Sequence, residues 1–441
     1  MKYLKIPALI LLCALLVSLL GCEKLDLSGG KDKDGDLPAS EDASDPRTLT
    51  VKTTVTGRDT FRPDEGISPK TDAILARIAE VEKETGYTVS VEIVSEETLS
   101  TAFLRASRAG KKYADVIQTD ATFLTRYYDE GYFLSLADAG LENSATGVLK
   151  KQNGTAYAFR ADGWNQPLPT LSYTLFYNEK IFRDADCDLP FELYEGGAWN
   201  WANFEKLCAD VTNAYPGEIY ALAHPTEGET DLIWATLHAA GLIYFTDDGE
   251  CVMDSDEGLK GFSRLTALLN SGVTYPLGSE AAVEHESTAK LAFINRRTAF
   301  LVGNSSLLFE TGSGSIAENL GEDLRIIGFP AIRKGVSGGA FTPDDIFLGV
   351  TAAANKNLCK ELLPKLFAPL EEGDATEELT ENYFYSEEDA DLYLSLLASA
   401  DTDTSLAMND KRSLMEEYFL QVARGRSAKE ILNNFQTIFN S

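Results

Sequence analysis

The segment from residue 49 to residue 117 restricts the fold most, because its hydrophobic period switches back and forth between two and 3.6. Leu49, Val51, Thr53 and Val55 alternate onto one face, which predicts a strand. From about Thr71 the apolar residues Ile74, Leu75, Ile78 and Val81 fall on one helical stripe, and Gly86 stands where a helix C-cap belongs. Val89, Val91 and Ile93 alternate again. Ser95 can cap a second helix, with Glu96 and Glu97 in its favoured first turn and Leu99, Phe103 and Ala106 facing inward. Ala114-Asp115-Val116-Ile117 then reads as a short buried strand. This order predicts a doubly wound α/β unit, in which ligands sit beyond the carboxyl ends of the strands. Gln118-Thr119-Asp120 occupies such an end.

The pattern renews beyond a Pro-rich stretch, Trp164-Asn165-Gln166-Pro167-Leu168-Pro169. Strands are predicted at 171–177, 299–303 and 325–329. Helices are predicted after Trp199-Asn200-Trp201 and at about 230–240, 257–270, 284–296, 357–368, 386–399, 411–424 and 427–439. Gly338 to Asp345 is a second Gly/Pro-rich crossing. No internal repeat of solenoid period occurs.

The N-terminus reads as an address. Lys2 and Lys5 precede the apolar run Ile6–Leu20, which is shorter than the roughly 20 residues needed to span a bilayer. Leu19-Leu20-Gly21-Cys22 resembles the lipobox of bacterial lipoproteins, so residues 1–21 are expected to be a signal peptide and Cys22 the lipid attachment point. Residues 23–47 hold eight acids, four bases, three glycines and no aromatic residue, too little apolar surface to offset ordering entropy. With Cys22 they form an expected tether, 22–47, reaching about 25–30 Å as a flexible coil.

Across the 441 residues, 69 acids against 39 Lys and Arg give a formal charge of −30, which repels phosphate backbones and argues against nucleic acid as a partner. Six cysteines exclude a disulfide scaffold. Cys187, Cys208, Cys251 and Cys359 show no metal-ligand spacing. One disulfide is conceivable in an exported protein, and buried thiols are the simpler reading. No Gly-x-Ser-x-Gly elbow, His-Glu-x-x-His or phosphate loop is present, so no catalytic residue, metal or cofactor is expected.

Several passages also line up in order: Glu84-Thr85-Gly86, Ala114–Ile117 with Asp120 beyond, Gly131–Leu136, Leu175-Phe176-Tyr177-Asn178-Glu179-Lys180-Ile181-Phe182, Gly197–Phe204, Ala240-Gly241, Asp247-Asp248-Gly249 and Arg297–Gly303. Together they resemble the extracellular solute-binding proteins of ABC importers, in the sugar-binding group called family 1, over roughly residues 48–441. The resemblance implies two α/β lobes of periplasmic-binding-protein type and a hinge crossed three times. Lobe 1 would hold 48–168 and 341–398, and lobe 2 would hold 169–340 and 399–441. With the lipobox it implies an exported monomer anchored to the outer face of the bacterial cytoplasmic membrane, or a periplasmic lipoprotein. Such a protein captures a small solute, a carbohydrate first of all, by hinge closure and delivers it to ABC permease subunits. The same fold could instead take a peptide, polyamine or metal chelate. A secreted two-lobe hydrolase is a weaker alternative, for which no nucleophile and base can be named.

A neutral sugar needs rings to stack on and planar polar groups to grip paired hydroxyls. The candidates are Asp120, Trp164, Asn165, Asn304, Ser305 and Asp345. Each has a structural alternative: Asp120 as a helix cap, Trp164 as hinge core, and Asp344 or Asp345 as loop solvation. Ser305 stands near a family position that often carries a stacking Trp. Trp199, Trp201 and Trp234 read as packing residues.

Overall fold

The computed structural model describes residues 45–441 apart from 57–58, 142–146, 152, 162–163, 165–167, 247–249, 280–286, 337, 369, 371–378, 381–382, 404–411 and 440–441. Strand β1 (Thr48–Thr53) is followed by helix α1 (Pro69–Thr85), β2 (Thr88–Ile93), α2 (Glu96–Arg108), β3 (Val116–Asp120) and α3 (Ala121–Asp129). This is the alternation that the sequence predicts. Ser68 caps α1 by accepting from Thr71 N, and Gly86 ends it at φ 70°, a left-handed turn that glycine adopts without strain. Ser95 caps α2 in the same way. Strands β4 (Gly147–Lys150) and β5 (Ala156–Arg160) complete the first pass.

The chain then passes through β6 (Leu171–Ser172) into β7 (Thr174–Asn178), α4 (Trp201–Ala214), β8 (Leu222–Ala223), α5 (Asp231–Ala239), α6 (Asp256–Asn270), β9 (Thr274–Tyr275), β10 (Phe300–Gly303) and β11 (Leu324–Gly328). It returns through β12 (Ala340–Phe341) to β13 (Ile346–Val350). It ends with α7 (Lys356–Leu366), α8 (Glu387–Ala398), α9 (Arg412–Ala423) and α10 (Ala428–Phe439).

The first lobe is built on a six-stranded sheet of order β2-β1-β3-β13-β5-β4. Strands β1, β2 and β3 run parallel, and β13 enters antiparallel between β3 and β5. The period-two pleat separates its two cores. Val116 and Leu348 face one, closed by α1 and α7, while Ile117 and Phe347 face the other, closed by α2 and α3. The second lobe centres on β10-β7-β11, with β7 antiparallel to both neighbours. Its main core collects side chains from α4, α5, α6, α8, α9 and α10.

Three crossings join the lobes. The first two meet in the short ribbon β6–β12, where Leu171 pairs with Phe341 and Ser172 with Ala340. The third differs from the expected boundary at 398. Leu358, Leu362, Leu363 and Leu366 of α7 belong to a first-lobe core, whereas Leu379, Phe384, Ala390, Leu392, Tyr393 and Leu396 belong to the core of the second. The chain therefore changes lobe between Phe367 and Leu379, and α8 lies in the lobe opposite to that expected. Arg325 of β11 holds it there, with Nε 2.7 Å from the buried Asp389 carboxylate. Beyond α8, Asp401 pairs with the hinge by accepting from Phe341 N at 3.1 Å and donating to Gly339 O at 3.2 Å. Among the described residues no helix is long and apolar enough to cross a membrane, and no disulfide joins the cysteines.

Candidate functional site

Both sheets present polar groups at their hinge-side ends. In the first lobe β3 runs out at Asp120, which pairs with Ile346, and α3 begins at the next residue. Asp120 caps α3, its Oδ1 accepting from Phe123 N at 2.8 Å, while Thr119 Oγ1 donates to Oδ2 at 3.3 Å. The next two amides serve the hinge: Ala121 N donates to Asp345 O at 2.9 Å and Thr122 N to Pro343 O at 3.2 Å. Beside this turn lies a cavity of about 200 Å³ whose walls include Glu96, Thr119, Asp120, Phe123, Arg126 and Tyr127. Burial pushes the Asp120 carboxyl above its usual range, its hydrogen bonds oppose that shift, and the Glu96 charge adds to it. Two carboxylates, a guanidinium, hydroxyls and two rings around one cavity can accept from, donate to and stack on a polyhydroxylated ring.

In the second lobe β10 ends at Gly303, where a side chain would collide with Leu307 at 2.9 Å and stand 3.9 Å from Asp231 Oδ2. Asp231 opens α5, where its charge suits the helix dipole. It reaches solvent on one side and is walled by protein on the others. Burial pushes its carboxyl up, Arg412 opposes, and Glu416 adds. Arg412 lies over the Trp234 ring, 4.3 Å from its centroid, with Asp403 at 3.9 Å and Glu416 at 3.8 Å. Trp234 Nε1 donates to Glu416 at 3.1 Å. Tyr173, between β6 and β7, holds a left-handed backbone (φ 69°) that a side-chain residue adopts at a cost. Its hydroxyl donates to the buried Asp403 at 2.5 Å, which fixes that turn.

The six candidates do not converge. Asp120 is both a cap and a cavity wall. Asn304 is partly exposed after β10, its Oδ1 accepting from Ser306 N at 2.8 Å. Trp164 is corrected to core: it is 3% exposed and packs on Phe61 and Phe367 with ring centroids 5.3 and 5.1 Å away. Its stacking face is spent inside the lobe. Ser305 and Asp345 are corrected to hinge groups, because both are buried and bonded to the first crossing. Asn165 and Cys22 lie outside the described residues. Trp199 and Trp201 pack, as expected, Trp199 Nε1 donating to Gly328 O at 2.8 Å. Trp234 is core, yet its edge and face also hold Glu416 and Arg412. Sequence reasoning missed Asp231, Arg412 and Glu416. An acid at a helix start and charges on an amphipathic helix read as ordinary surface, and only the fold brings these three together.

A family model described as bacterial extracellular solute-binding protein matches residues 68–363, two thirds of the chain. The chain belongs to that family. No curated protein gives a significant sequence match to this solute-binding protein. Among solved structures, the sugar-binding protein MalE from Xanthomonas citri is 16% identical, with a TM-score of 0.56 over 89% of this chain and 96% of that one. The solute receptor AcbH, described as having an exclusive preference for β-D-galactopyranose, is 12% identical, with a TM-score of 0.56 over 89% and 96%. A probable secreted solute-binding lipoprotein from Streptomyces coelicolor is 14% identical, with a TM-score of 0.54 over 90% and 100%. At these identities the likeness shows a shared two-lobe fold.

Proposed function

We propose that this solute-binding protein captures a small carbohydrate between its lobes and passes it to the permease of an ABC importer, held to the outer face of the cytoplasmic membrane by a lipid on Cys22. The observation that carries the reading is the first-lobe cavity, where Asp120, Glu96 and Arg126 stand beside Phe123 and Tyr127. Carboxylates and a guanidinium can share out adjacent hydroxyls, and an aromatic ring takes the apolar face of the sugar. Asn304 and Asp231, beside the end of β10, are the second-lobe groups assigned to the opposing polar wall. Hinge closure then excludes water, and the closed form is the signal to the transporter. The working form is a monomer.

A thermal-shift panel tests the ligand class. Galactose, maltose and chitin oligosaccharides are compared with spermidine and a short peptide. A ligand that binds only the folded state at 100 times its Kd adds about 2.7 kcal/mol of stability. At least one carbohydrate should raise the melting temperature. A rise with spermidine or the peptide alone would replace carbohydrate by that class. The anchor is tested separately by Cys22→Ser and cell fractionation: the variant should leave the membrane fraction, and retention equal to wild type would rule out lipid attachment there.

A further inference from the structure

The first crossing is gripped by side chains at three consecutive residues. Tyr393 Oη donates to Pro169 O at 2.6 Å. Asp345 Oδ1 accepts from Thr170 N at 2.9 Å, and Ser305 Oγ accepts from Leu171 N at 2.8 Å. Ser305 and Tyr393 also share a hydroxyl–hydroxyl bond of 3.0 Å. Both come from the second lobe, Ser305 from the end of β10 and Tyr393 from α8, so they fix residues 169–171 to that lobe. Asp345 comes from the second crossing. Its Oδ2 accepts from Thr342 N at 3.1 Å, while the Thr170 hydroxyl donates to Oδ1 at 3.0 Å and meets the Thr342 hydroxyl at 2.9 Å. The same residue accepts through its backbone carbonyl from Ala121 N, the first residue of α3 in the first lobe. One buried residue therefore touches the first lobe with its main chain and the lobe-2-bound crossing with its carboxylate.

We propose that Asp345 is the positioning residue of the hinge: its carboxylate straps the two crossings of the β6–β12 ribbon into one unit, so that the lobes turn about a single axis and the unliganded protein keeps a narrow range of openings. The inference rests on the hinge-closing reading and not on the chemistry of the solute. Each carboxylate oxygen accepts from a different backbone N–H. An asparagine must turn its amide NH2 toward one of those donors, and one strap is lost although shape is kept. Thr170 offers an independent cut, because valine keeps the shape of threonine and removes the hydroxyl that bonds both Asp345 and Thr342.

Interlobe distances measured without ligand read this directly. Spin labels are placed on Glu80→Cys of α1 and Lys260→Cys of α6, both exposed positions in opposite lobes, in a Cys187→Ser background. Loss of a buried charged hydrogen bond should raise the population outside the wild-type distance peak about 5- to 30-fold. Asp345→Asn and Thr170→Val should both show this broadening, and Thr170→Ser should restore the narrow peak. Where Asp345→Asn fails to fold, the Thr170 pair decides. Unchanged distance widths in the folded variants would overturn the proposal. Because no sugar is present, failure of the carbohydrate reading would leave this result intact.

Discussion

Trp164→Ala is expected to cost about 3–5 kcal/mol of folding stability and to leave the affinity of the folded protein for its solute unchanged. Trp164 sits among Phe61, Phe159 and Phe367 in a first-lobe core, at the N-terminal side of the first crossing. Truncation leaves a cavity between rings that meet edge to face, and neighbours pinned by β5 and the end of α7 cannot collapse into it. Its indole N–H finds no acceptor among the described residues. Trp164→Phe should therefore cost much less than the alanine change, since it keeps a ring and removes an unmet donor. Denaturant melts of the unliganded variants give the stability, and calorimetric titration gives the affinity. Intact stability with lost affinity would restore Trp164 as a stacking face in the cleft.

Asp120 should behave in the opposite way. In Asp120→Ala the sugar hydroxyls lose their acceptor inside a closed site, an unmet buried group worth roughly 1–3 kcal/mol, or about 5- to 150-fold in affinity. The alanine also removes the α3 cap, which costs about 0.5–2 kcal/mol of stability by itself. Asp120→Asn separates the two effects. Asparagine caps a helix as well as aspartate does, so the melting temperature should hold while affinity falls. The sign of the pH dependence follows from burial. The folded Asp120 carboxyl lies above the ordinary 3.8, so hydroxyl binding weakens toward acid pH. It fades as pH falls through that raised value, earlier than an exposed carboxylate would allow. Unchanged affinity in both variants would remove Asp120 from the site.

Local signals predicted local structure well. The switches in period around Leu49–Ile117 appear as β1, α1, β2, α2 and β3, and the caps at Ser95, Gly86 and Asn200 stand where their chemistry demands. What the sequence hid is long-range. A tryptophan beside Pro and Gly looks like a cleft residue until Phe61 and Phe367, some 100 and 200 residues away, close over it. The third crossing carries Pro369 and Gly373 but falls well before the boundary that the family pattern implied, and α8 is tied to the second lobe by Arg325, more than 60 residues earlier. Asp345 was picked out for its place in a crossing, yet its bonds run to the hinge backbone rather than into the cleft.

Solution scattering of the folded body, with and without the carbohydrate that emerges from the thermal panel, reads capture by hinge closure itself. Capture by hinge closure predicts a smaller radius of gyration at saturation, reached in step with the calorimetric binding curve. Tight binding with an unchanged radius of gyration would contradict it.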